Sequence, residues 1–335
     1  MPRQSRIDAY GALHHVVVRG NARRKIFFSD EDREQFLDRL GTILKETGTG
    51  CYAWALIPNH FHLLLKTGET SLSTVMRRFL TGYAASFNRR HRRWGHLFQN
   101  RYKSMLCQEE NYLLELTRYI HLNPLRAKLV KNIKELNTYK YCGHSVVMGR
   151  RKNDWQDTGY VLRSFGSNLS GARREYRKFV VKGIELGKRT DLTGGGLIRS
   201  AGGWTAIKAI RKTGIYIKGD ERILGDSDFV QQSLEQANER LERKYRIHTK
   251  GYDFEKIAQR VSDVLAIPIE QVLASGKNRQ TVKARSLLCF WAVRECGMPL
   301  VVLAKRFRIS STSVGNSVKR GERIAAEKNL RLIPL

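Results

Sequence analysis

Two imidazoles stand one residue apart, His60 and His62, with Phe61 between them. Side chains alternate along a strand, so both histidines lie on one sheet face and Phe61 on the other. Two neutral imidazole nitrogens side by side can hold one divalent cation and leave positions for a phosphate oxygen and water. A half-exposed strand carrying two polar histidines reads the same way. His14 and His15 are adjacent, so they point to opposite faces and add little to such a site. A second set is Tyr119 and Asn123. Residues four apart share a helix face, so a phenol and an amide oxygen could approach one phosphate together. The same spacing fits a packed tyrosine followed by an asparagine that caps the helix, since Pro124 ends a helix at or before Asn123. Tyr112 is a rival phenol, but the residue four places after it is the apolar Leu116.

Arg77, Arg78, Arg89, Arg90, Arg92 and Arg93 crowd a span that also holds Phe79, Tyr83, Phe87 and Trp94. Guanidinium groups grip phosphates and aromatic rings stack unpaired bases, which suits a single-stranded or hairpin substrate. The spacing of Phe79, Tyr83 and Phe87 by four equally makes an ordinary core stripe. Charge favours the polyanion: 61 Lys and Arg against 31 Asp and Glu give a formal net charge of +30 over 335 residues. Hydrophobic residues make up 41%, which excludes a wholly disordered basic tail. No apolar run approaches the length of a spanning helix, so a membrane partner is not expected. The five cysteines are odd in number and form no CxxC pair, which predicts reduced thiols in a cytoplasm, and a nucleic-acid partner there makes a nucleoid-associated protein the expectation.

These residues need elements to position them. Leu13 to Arg19 is rich in β-branched residues and stops at Gly20 and Asn21, so it reads as a strand. Ser29 opens a helix with acids in its first turn and Phe36, Leu37, Leu40 and Leu44 at helical spacing. Cys51 to Ile57 and His60 to Lys66 flank Pro58 and Asn59 as a hairpin. Helix from Leu72 to about His91, strand from Tyr102 to Cys107 and helix from Glu110 to about Ile120 complete the series. The order β-α-β-β-α-β-α predicts an α+β fold: an antiparallel sheet with helices packed on it. From about Val146 to Ile247 no motif emerges. Basic stretches alternate with glycine clusters at Gly194 to Gly196 and Gly202 to Gly203, and Asp228 to Arg246 is helix-like. Helical periodicity returns over Phe254 to Leu265, Val282 to Arg294, Leu300 to Phe307 and about Ser311 to Glu327. Three domains follow: 1–145, a basic and Gly-containing connecting region over 146–250, and a helical module over 251–335.

Together the motifs carry a resemblance. Ile57 through His60, Phe61, His62 and Leu64 resembles the metal-binding strand of the single-tyrosine HUH transposases, built on a ferredoxin-like domain. Arg101 to Ser104, Asn111 to Leu114 and Tyr119 through Asn123 and Pro124 look like the REP-associated tyrosine transposases, as do His15 to Asn21 and Ile26 to Phe28. The likeness covers roughly residues 5 to 145. It implies that His60 and His62 bind Mg²⁺ or Mn²⁺, with Asn123 as a third ligand. It also implies that Tyr119 attacks a DNA phosphodiester, giving a 5′-phosphotyrosine and a free 3′-hydroxyl. Some relatives carry Gln where this chain has the shorter Asn123. The tail, about residues 254 to 326, is similar to the C-terminal helix-turn-helix domain of the replication initiator DnaA. Ser310 and Ser311 stand where that family usually shows an Asp-His pair. By position, Ser311, Thr312, Ser313, Asn316 and Lys319 would face duplex DNA flanking the site. A helical bundle with basic solvent faces is the plainer reading of the tail. The implied function is a metal-dependent strand transferase; the alternative is a non-catalytic DNA-binding regulator on the same fold. The oligomeric state stays open.

Overall fold

The computed structural model describes residues 7, 10–68, 70–187, 189, 192, 220, 222–249, 251–276 and 278–333. Gly194 to Gly196, Gly202 to Gly203 and Lys277 lie outside the described residues. The chain divides into two compact units, Met1–Leu234 and Glu235–Leu335.

The first unit is built on a sheet ordered β2-β3-β1-β4-β5, with β1 (Leu13–Arg19) at its centre. β1 runs antiparallel to both β3 (His60–Lys66) and β4 (Lys103–Cys107), and β2 (Gly50–Ile57) forms a hairpin with β3. With helices α1 (Asp30–Thr47) and α2 (Leu72–Arg90) between them, these four strands have the ferredoxin-like β-α-β-β-α-β order. The short β5 (Ile223–Leu224) adds in parallel to β4, the one departure from the expected antiparallel sheet.

Ser29 caps α1 in a reciprocal box with Asp32, which satisfies backbone donors at both residues. Phe36, Phe61, Phe79 and Tyr83 fill the core between α1, α2 and one sheet face. α3 (Glu109–His121) covers the opposite face through Leu113, Leu116 and Ile120. It is followed by the short helices α4 (Asn123–Arg126), α5 (Ile133–Thr138), α6 (Gly143–Val147) and α7 (Thr158–Leu162), then α8 (Leu169–Glu185).

The boundary expected at residue 145 falls inside α6, and the segment after it is no mere connector. Val161, Leu162, Tyr176, Val180 and Leu224, each at most 3% exposed, complete the core beneath α3. Arg118 holds α8 in place: its guanidinium pairs with Glu115, donates to the Phe179 carbonyl and lies 4.2 Å from the Phe179 ring centroid. Tyr176 Oη joins His121 Nδ1 at 2.6 Å and His144 Nδ1 at 3.0 Å, a fully buried polar link from α3 to α6 and α8. α9 (Ser227–Thr249) extends the expected helix by a residue at its start and three at its end.

In the second unit, α10 (Phe254–Leu265), α11 (Ile269–Leu273), α12 (Arg279–Phe290), α13 (Leu300–Phe307) and α14 (Ser311–Glu327) surround Ile257, Leu287, Trp291, Leu303 and Val314. α12 starts three residues before the expected Val282 and continues into a wider π turn at Trp291–Glu295. α13 and α14 are joined by a turn at residues 308–310, with Arg308 in the left-handed region at φ 51° and Ser310 capping α14. α12 and α14 cross so closely that a Cβ on Gly321 would stand 1.9 Å from the Ser286 carbonyl oxygen.

Candidate active site

Antiparallel register decides which side chains meet. Val17 pairs with His62 and Arg19 with His60 across β1 and β3. Paired residues share a sheet face, so His15, Arg19, His60 and His62 all project toward the α3 side. His15 Nε2 and His62 Nδ1 are 2.9 Å apart, and the two rings stack at 5.2 Å with 22° between planes. The expectation that His15 adds little is therefore corrected; His14, its neighbour, is buried on the opposite face. The diagonal approach of His15 and His62 comes from register, which no spacing within one strand reveals.

His60 is oriented from the hairpin turn. The Asn59 amide nitrogen donates to the Arg23 carbonyl at 3.2 Å, so its oxygen faces His60 Nδ1 at 2.7 Å. A carbonyl oxygen only accepts, so His60 donates from Nδ1 and carries its lone pair on Nε2. Burial, with the Arg19 charge adding to it, pulls the His60 pKa down to about 4. Burial lowers that of His62 well below the ordinary range too, with His15, His60 and Arg19 contributing. Both imidazoles are thus neutral at pH 7 and fit a ligand role.

From α3, the half-buried Tyr119 ring meets His15 and His62 edge-on, each at 6.0 Å between centroids. Burial raises the phenol pKa above its ordinary value, and the charges of Arg126 and Arg19 offset only part of that rise. The Arg126 guanidinium lies 5.2 Å from the Tyr119 ring centroid. Asn123 begins α4, and its amide nitrogen donates to the Tyr119 carbonyl at 3.2 Å. The cap of α3 is Leu122 and not Asn123 as weighed from sequence, but the Asn123 amide still satisfies a last-turn carbonyl, which leaves its oxygen as the ligand atom a cation could use. Among the described residues no group of three His, Cys, Asp or Glu side chains is arranged to hold a metal ion. A cation at His60 and His62 would need the Asn123 oxygen and phosphate or water oxygens to fill its shell.

The α2 arginines divide. Of the interleaved aromatics, Phe79, Tyr83 and Phe87 are core residues that serve packing, while Trp94 is exposed. Arg90 pairs with Glu31 and, at 2.7 Å, with the fully buried Asp32, which fixes the end of α2 to the start of α1. Arg78 pairs with Glu46, and Arg93 lies over the Phe87 ring. Arg77, Arg89 and Arg92 are exposed. α2 covers the sheet face opposite His62, so its arginines do not line the site. The basic groups that adjoin the site are others. Arg19, Arg23, Arg24 and Lys25 are exposed on β1's end and the loop after it, and Arg101 on the loop before β4. The two loops are tied by Asn21 N–H to the Leu97 carbonyl and Gln99 N–H to the Arg19 carbonyl, at 2.9 and 3.0 Å. In the second unit, Ser311, Thr312, Ser313, Asn316 and Lys319 are exposed along one side of α14, with Val314, Ser317 and Val318 buried on the other.

No helix among the described residues is long and apolar enough to cross a membrane. Cys51, Cys107, Cys142, Cys289 and Cys296 are all free thiols. No curated protein matches the chain. Among solved structures, a REP-associated tyrosine transposase bound to a REP hairpin is similar at 16% identity. The likeness covers 47% of this chain and 94% of that one, with a TM-score of 0.37. A protein described as a transposase of Deinococcus radiodurans R1 is similar at 19% identity, over 36% of this chain and 95% of that one, with a TM-score of 0.26. Residues 8–123, the span that holds His15, His60, His62, Tyr119 and Asn123, match the family model of IS200-like transposases.

Proposed function

We propose that the first unit is a DNA transposase that cleaves and rejoins single-stranded or hairpin DNA with Tyr119 as its nucleophile. The observation that carries this reading is the convergence of the Tyr119 ring with His15 and His62 on one sheet face, beside the charges of Arg19 and Arg126. In the cleavage step, Tyr119 Oη forms a bond to phosphorus and the bond from phosphorus to the 3′ oxygen breaks. The phenolic proton leaves to solvent, and the departing 3′ oxygen takes up a proton to become a hydroxyl. A second 3′-hydroxyl attacking the phosphotyrosine reverses the chemistry and joins a new strand without ATP. The two guanidinium groups favour the phenolate that burial disfavours. His60 Nε2, His62 Nε2 and the Asn123 amide oxygen would hold Mg²⁺ or Mn²⁺. When bound, the cation supplies positive charge to the phosphate's non-bridging oxygens. His15 and Asn59 hold the two imidazoles in orientation, and Asn59 also sets the tautomer of His60.

The second unit, in this reading, grips duplex flanking the cleavage point through Ser311, Thr312, Ser313, Asn316 and Lys319 on α14, with α13 and α14 acting as a helix-turn-helix. The test is incubation of the full chain with hairpin oligonucleotides carrying single-stranded arms, with Mn²⁺ or with EDTA. Products ending in a 3′-hydroxyl that form only with the cation support the reading. Equal cleavage in saturating EDTA overturns the metal role, and binding without cleavage of any hairpin favours a non-catalytic regulator.

A further inference from the structure

Trp94 is 89% exposed, while Trp54 and Trp291 are at most 1% exposed. It is the most exposed large hydrophobic side chain among the described residues, and its indole presents a flat apolar face with one N–H at the edge. The loop that carries it is well fastened. Arg93 N–H donates to the Asn88 carbonyl at 2.9 Å, and the Asn88 amide donates to the Gly95 carbonyl at 3.0 Å. Leu97, at 3% exposure, anchors the next turn in the core. Arg92 at φ 48° and Gly95 at φ 83° both occupy the left-handed region, so the chain turns sharply on either side of Trp94. The loop then bonds to Arg19 and Asn21 at the end of β1, and Arg19 is the cross-strand neighbour of His60. Arg92 and His96 are exposed beside it.

We propose that Trp94 is a stacking platform for an unpaired base of the DNA strand that enters the Tyr119 site. An indole held out on a hydrogen-bonded turn beside the exposed Arg92 guanidinium matches what a single strand offers: an apolar base face on a phosphate backbone. A duplex has no free base face to offer it. This rests on the DNA reading above and adds to it a named contact and a preference for unpaired over paired DNA.

The experiment uses the full chain with Trp94→Ala and Trp94→Phe, and two labelled probes of equal charge: a hairpin with a single-stranded arm, and a blunt duplex. Because the side chain is exposed, both variants should melt at the temperature of the unsubstituted protein. Stacking is worth about 1–3 kcal/mol per base, so Trp94→Ala should weaken binding of the armed hairpin roughly 5- to 150-fold and leave the duplex within about twofold. Trp94→Phe should recover most of the loss. Equal binding of the armed hairpin by Trp94→Ala overturns this proposal alone. So does equal weakening of both probes, which would make Trp94 a general or protein-facing contact. If the unsubstituted chain binds neither probe, the DNA reading falls and this proposal falls with it.

Discussion

Replacing His15 by phenylalanine keeps an aromatic ring against His62 and removes one hydrogen bond. His15 is 1% exposed, stacks on His62 at 5.2 Å and joins its Nδ1 at 2.9 Å, so the variant fills nearly the same space. Two effects separate. The buried His62 Nδ1 loses its partner, at a cost to folding of about 1–3 kcal/mol. His62 is also freed to rotate, and loss of such an outer partner typically weakens metal binding about 10- to 100-fold, or roughly 1.4–2.7 kcal/mol. Calorimetric titration of the full chain with Mn²⁺, paired with a thermal melt, reads both quantities. The account predicts weaker Mn²⁺ binding in His15→Phe and none in His60→Ala or His62→Ala. A His15→Phe protein that melts lower but binds Mn²⁺ as tightly as the unsubstituted chain would refute the orienting role and leave His15 as packing.

Other expectations concern the architecture. His144 faces Tyr176 and Asn137 and is held neutral by burial, with the Arg177 charge adding to it, which takes its pKa from 6.5 down to about 3. Its stabilising contribution is complete above pH 6.5 and is lost as pH falls toward 3, by at most about 1.4 kcal/mol per pH unit. Urea unfolding at pH 7.5, 5.5 and 4.5 should therefore show a shallower pH dependence in His144→Gln, and parallel curves would contradict it. A fragment ending at residue 145 should not fold cooperatively, since Val161, Tyr176, Val180 and Leu224 belong to its core. One ending at Leu234 should fold, and a sharp melt for the shorter piece would count against this account.

The strands and long helices were legible because period and punctuation agreed. Leu13–Arg19, His60–Lys66, Phe254–Leu265, Leu300–Phe307 and Ser311–Glu327 have the bounds that alternation or helical spacing marks out. His60 and His62 were legible for the same reason. His15 was not, because strand alternation states which residues share a face but not the register between strands. Arg90 looked like a free cation until tertiary packing set it on Asp32. The region after residue 145 was the hardest to read. Its α6 and α7 are five residues each, too short for a period to emerge, and β5 is only two residues long. Its apolar residues still occupy the core, and their scatter through a basic, glycine-containing stretch hid that.

The most direct test of the central claim is the identity of the residue that carries DNA. Trypsin cuts after Arg118 and Arg126, so Tyr119 falls on the peptide 119–126, while Tyr112 falls on the preceding peptide 104–118. Full-length protein is incubated with Mn²⁺ and an armed hairpin labelled in the strand 3′ of the break, the covalent species is isolated under denaturing conditions, and its peptides are weighed after nuclease digestion. The account predicts a nucleotide mass on peptide 119–126 and no covalent species from Tyr119→Phe. A modified 104–118 peptide, or an adduct that persists in Tyr119→Phe, would contradict it.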